Sequence, residues 1–153
     1  MIRKRERLLN YGLVLCTIAY ILFIIFYDHY RIKNYDGVVL EDGKEVAYHI
    51  VMLVVFIFFN ILVLAAGSAI LTVILFLLTG ALISETKKKT VVMVVLMICK
   101  ILSCVLTVAG AYVAYSLAHT DLLMKIVYAL MPTLYLASIV HSVVFFKKIA
   151  AQQ

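Results

Sequence analysis

Apolar residues along this chain fall into long runs, interrupted by charge only at Lys100 in the third and at Lys125 near the start of the fourth. The runs cover residues 8–27, 50–83, 91–118 and 122–146. A helix that crosses a bilayer needs ~20 consecutive apolar residues, and each run meets that length. The pattern predicts an all-α polytopic membrane protein: four transmembrane helices in an antiparallel bundle, forming one domain over residues 1–153.

The connectors are short, apart from a polar loop at 28–49. Within it, "GVVLEDGKEVAY" sets Asp42-Gly43 between two valine-rich runs. Asp-Gly supplies the positive φ angles of a tight two-residue turn, so a small extracytoplasmic β-hairpin is expected between helices 1 and 2. The second run is 34 residues without a charge. As one helix it would reach ~51 Å against a ~30 Å hydrocarbon core. It must tilt, kink near Gly67, or project beyond the headgroups.

Composition agrees. Hydrophobic residues make up 66% and charged residues only 14%, against ~25% charged in soluble domains, and no water-soluble fold of this size could hide so much apolar side chain. The net charge of +6 is grouped: Arg3, Lys4, Arg5 and Arg7; Lys87, Lys88 and Lys89; Lys147 and Lys148. These clusters flank the apolar runs and form no basic face for nucleic acid. Lysine and arginine gather on the cytoplasmic side of membrane proteins. The count therefore places both termini and the triple-lysine turn in the cytoplasm, and the 28–49 loop outside. A plasma membrane location is the expectation. The first run is too long for a cleaved secretory signal and should stay in the mature chain.

Lys100 stands inside the third run, with no Asp or Glu inside any of the four predicted runs to pair with it. A charge at mid-bilayer raises the insertion free energy by about 2.5–3.5 kcal/mol, and such groups are functional candidates by default. At helical spacing Lys100, Ser103, Cys104 and Thr107 share a stripe that continues to Ala111 and Ala114. Small and polar faces pack inward in membrane bundles. Thr17, Ser138, Asn60, His141, carbonyl groups, water, a bound anion or lipid phosphate, or an acid on another protein are the partners available to the lysine. Asn60 heads a second stripe with Gly67, Ser68 and Thr72, while His141 falls near the cytoplasmic interface. Pro132 should kink the fourth helix. Tyr20, Tyr27, Tyr30, Tyr48, Tyr112, Tyr115 and Tyr128 fall toward the outer side, as an aromatic belt would.

Catalytic patterns are missing. Cys16, Cys99 and Cys104 contain no Cys-x-x-Cys pair. No metal-ligand spacing or phosphate-binding glycine loop occurs, so neither metal nor cofactor is expected. The sequence predicts a non-enzymatic membrane protein in contact with lipids and with another membrane protein or a second copy of itself. It would be a subunit or accessory component of a larger transport or secretion complex. The alternative is a transport element for lipid or for a small anionic or hydrophobic molecule, with Lys100 in a polar crevice. The candidate site residues are Lys100, Ser103, Cys104, Thr107, Asn60 and His141.

Overall fold

The computed structural model describes residues 2–33, 51, 54–81, 89–116 and 122–151. Four helices carry them: α1 (Ile2–Lys33), α2 (Val54–Ala81), α3 (Lys89–Ser116) and α4 (Leu122–Ala150). Each is long and apolar enough to cross a membrane. Among the described residues there is no strand. The expected hairpin lies in residues outside the described ones.

Successive helices pack side by side, and α4 closes on α1. Leu8, Phe26, Tyr112 and Leu122 are among the side chains that point outward, each more than two-thirds exposed. In lipid that apolar exterior gives the helices no hydrophobic reason to associate, so close packing and polar contacts must hold them. The interior has both. Leu13, Ile24, Leu64, Leu75, Leu96 and Met124 are buried in one core. Beside them lie Glu6, Asn10, Thr17, Asn60, Ser68, Thr72, Thr79, Lys100, Ser103, Thr107 and Ser142. On α1 the buried polar positions 6, 10 and 17 recur at the spacing of one helix face.

Three features differ from the sequence expectation. The first stretch long and apolar enough to cross a membrane begins at Lys4, not at residue 8, and Glu6 within it is buried. Basic neighbours mask that carboxylate in the sequence, yet the helix is already formed there and turns Glu6 toward the bundle axis. Secondly, the irregularity in α2 precedes Gly67: Phe59–Ala65 is a π-helical turn, and α-helix resumes at Ala66. One extra residue in that turn shifts the buried face, which then runs through Leu64, Ser68, Thr72, Leu75 and Thr79. Thirdly, Tyr20 and Tyr128 do not join a belt. Both are buried, edge to face, with ring centroids 5.7 Å apart. Tyr112 and Tyr115 do face outward. α4 runs continuously through Pro132 and extends to Ala150.

The seam between α2 and α3 depends on glycine. A Cβ added at Gly110 would stand 2.6 Å from Leu64 Cδ2 and 2.7 Å from Cδ1. At Gly67 it would meet Leu106 Cδ2 at 3.0 Å. Each leucine thus fills the place where the facing helix has no side chain, which lets the two backbones approach closely.

A buried ion pair at the candidate functional site

Glu6 on α1 and Lys100 on α3 meet across the middle of the bundle, between helices that are diagonal to one another. Lys100 Nζ lies 3.0 Å from Glu6 Oε1. Lys100 is 0% exposed and Glu6 1%. Two neighbours on α4 complete the cluster. Lys100 Nζ donates to Ser142 Oγ at 2.6 Å, and that hydroxyl donates onward to Glu6 Oε1 at 2.5 Å. His141 Nδ1 lies 2.6 Å from the other carboxylate oxygen, Oε2. An ionised carboxylate only accepts, so Nδ1 carries the proton of that bond. The His141 side chain is 34% exposed and links the sealed pair to the surface.

Sealing two charges in a low-dielectric interior is favourable only when the geometry is good and the remaining polar atoms are satisfied. Here both carboxylate oxygens are engaged, and the Ser142 hydroxyl both accepts and donates. The cluster is neutral with His141 uncharged. It answers the difficulty of an ammonium group inside the third span: the compensating charge comes from this chain.

A second polar layer lies farther along. Thr17 Oγ1 donates to the Leu13 carbonyl at 2.8 Å, so its 2.7 Å bond with Tyr135 is donated by the phenol. Thr72 and Ser103 stand close to the same phenol oxygen, so side chains from all four helices surround it. Beyond it come Tyr20 and Tyr128. From Glu6 to Tyr20 the polar column spans 14 residues of α1, ~21 Å. Ile24, Ala114 and Met124, each at most 1% exposed, close it with an apolar layer.

Of the residues the sequence singled out, Lys100 and His141 meet in the cluster through Glu6. Ser103 lies one turn from Lys100, beside Tyr135. Thr107 bonds the Ser103 and Cys104 carbonyls of its own helix at 2.9 and 3.0 Å. Cys104 Sγ faces the Pro132 carbonyl at 3.8 Å. Asn60 is not part of this site. It sits in the π-helical turn of α2, one turn past Leu64; Leu64 packs on Gly110, ~15 Å along α3 from Lys100. Sequence reasoning missed Glu6, Asn10, Tyr135 and Ser142. The signal was there in the spacing: 6, 10 and 17 on one face of α1, and 128, 135 and 142 at seven-residue intervals on α4.

Among the described residues, no group of three His, Cys, Asp or Glu side chains could hold a metal ion. No protein-family model matches the chain, and neither curated proteins nor solved structures give a match.

Proposed function

We propose that this small integral membrane protein is a non-enzymatic element of transport type. In it Lys100 recognises a small anionic solute and Glu6 is the resident counter-ion. The carrying observation is that a fully buried ammonium group is held by one carboxylate, itself one hydrogen bond from a half-buried histidine. Ionisable residues inside membrane segments are functional-site candidates by default and mark substrate and ion pathways. Neutrality sets the rule of operation. An anion joining Lys100 would leave the buried cluster at net −1, which the low dielectric disfavours strongly. Protonation of Glu6 restores neutrality, so anion and proton should bind together, one for one. The groups facing Glu6 are Lys100 from α3 and His141 and Ser142 from α4. On α1 itself the nearest charged neighbours are Arg5 and Arg7; α2 contributes no charged residue between Val54 and Ala81. In this reading the cluster opens to the cytoplasm, with both termini there and the 28–49 loop, including its hairpin, outside.

Hydrolytic chemistry fits the cluster poorly. A nucleophilic serine must give its proton to the histidine or to a neutral lysine. Ser142 instead accepts a hydrogen bond from Lys100 and donates its own hydrogen to a bond with Glu6, and it is fully buried. A role as accessory subunit of a larger membrane complex ranks second. Its main support was a lysine in need of an acid from elsewhere, and Glu6 meets that need.

The test is proton uptake in proteoliposomes loaded with a pH-sensitive dye, on addition of chloride, nitrate, thiocyanate, acetate or lactate. At least one anion should acidify the lumen in wild type. Lys100→Met should abolish the signal, and Glu6→Gln should uncouple anion movement from protons. Wild type that moves protons with none of these anions, yet co-purifies stoichiometrically with a second membrane protein, would reverse the ranking.

A further inference from the structure

Asn10 lies one helical turn from Glu6 on the same face of α1 and is 0% exposed. Neither its amide nitrogen nor its amide oxygen has a protein partner. Burying an amide without hydrogen bonds forfeits its bonds to water with nothing in return. Native proteins avoid this unless a ligand or water supplies the bonds. A leucine would be the cheaper residue in an apolar interior, so the amide's presence calls for an occupant.

The surroundings say what kind of occupant. α1 and α3 run parallel, and Glu6 is paired with Lys100, so Asn10 lies level with Ser103, one turn farther along. Ser103 and Thr72 flank the Tyr135 phenol. Ser68, a turn from Thr72 on α2, is buried, and its hydroxyl has no protein partner either. Tyr20, 2% exposed, also has an unpartnered hydroxyl, and its phenol lies near that of Tyr135. Asn10 offers a donor and an acceptor together, and the hydroxyls of Ser68 and Tyr20 can each do either. A simple anion would satisfy only the donors. Water satisfies both, at about three hydrogen bonds per molecule.

We propose that Asn10 and Ser103 flank a small internal water cluster that joins the Glu6–Lys100 pair to the Tyr135 hydroxyl, and that Ser68 and Tyr20, beyond that phenol, hold water at the far end of the same column. The column from His141 to Tyr20 is then a hydrated well, open at the His141 end and closed by Ile24, Ala114 and Met124. Protons entering at His141 reach Glu6 and exchange with the water beyond it, while the apolar layer keeps the well one-sided. This hydration stands on the unpartnered groups and does not require that an anion be transported, although it would supply the proton route that such transport uses.

Water-edited solid-state NMR on the ¹³C,¹⁵N-labelled full-length protein in lipid bilayers tests it, with the Tyr135 ring carbon Cζ reporting transfer through its hydroxyl. Magnetisation from water should reach the Asn10 side-chain Nδ2 within milliseconds, as it should for the half-exposed His141 ring. No such transfer should reach the backbone amides of Ile24 and Ala114. Asn10→Leu should remove the transfer to the Tyr135 hydroxyl, and Asn10→Ser, which retains a donor and an acceptor, should keep it. A wild-type Asn10 as dry as Ile24 overturns the proposal, whatever the variants do. Transfer at Asn10 in a protein that moves no anion leaves the well intact and refutes only the transport role.

Discussion

Removing one charge of the Glu6–Lys100 pair should be far more damaging than removing both. In Glu6→Gln the ammonium group keeps only Ser142 and a neutral amide, at 0% exposure. Leaving one partner of a buried pair uncompensated costs about 3–5 kcal/mol, or roughly 10²- to 10³·⁵-fold in the unfolding equilibrium. Lys100→Met leaves a carboxylate, but His141 is already 2.6 Å from its Oε2 and can take up a proton to become the counter-ion. That variant should lose less, about half as much on the same scale. The double variant Glu6→Gln/Lys100→Met buries no net charge and should lie within ~1 kcal/mol of wild type, since replacing both partners is often neutral. Adding His141→Ala to Lys100→Met should restore the full loss. Equilibrium unfolding in mixed micelles of rising SDS fraction, followed by far-ultraviolet circular dichroism, measures each corner of the cycle. Additive losses, with the double variant weaker than either single one, would refute an interaction between the two side chains.

The glycine seam gives a graded series. Gly110→Ala puts a methyl 2.6 Å from Leu64 Cδ2 and should destabilise by about 1–3 kcal/mol. Gly67→Ala, meeting one leucine methyl at 3.0 Å, should lose less, and Leu64→Ala should partly rescue Gly110→Ala in the same SDS titration. Gly12→Ala and Gly80→Ala meet nothing within 4 Å and should each stabilise, by up to ~1 kcal/mol from helix propensity. Tyr135→Phe with Thr17→Val should show a coupling of about 0.6–1.7 kcal/mol, the range for hydrogen bonds within membranes. Orientation is checked in a cysteine-free background: a thiol placed at Lys88 should resist impermeant reagents added to intact cells, and one placed at Gly43 should react.

The four helices of membrane-crossing length were legible in the sequence because lipid demands long apolar runs and tolerates few exceptions. The inward face of α3 was legible for the same reason: Lys100, Ser103 and Thr107 could only be placed away from the tails. Glu6 was not. It sits among Arg3, Lys4, Arg5 and Arg7, where composition says interface, and only the position of the helix in the bundle shows that one residue of that group turns inward. Ser142 escaped because an isolated serine on a helix has little signal until its neighbours are known. Tyr20 and Tyr128 were assigned to a belt by depth alone; the face each occupies decides the matter, and both faces point to the axis. The π-helical turn had no local mark in "FNILVLA", since backbone registers of this kind are selected by packing between helices.

The site is built on the contact between an ammonium group and a carboxylate 94 positions apart in the chain. Dipolar recoupling between ¹⁵Nζ-lysine and ¹³Cδ-glutamate, on the protein in bilayers, observes that contact directly. One strong cross-peak should appear, set by the 3.0 Å separation of Nζ and Oε1, and it should vanish in Glu6→Gln. A spectrum in which Lys100 couples to no glutamate carboxyl, and Glu6→Gln changes nothing, would contradict the buried pair and the site built on it.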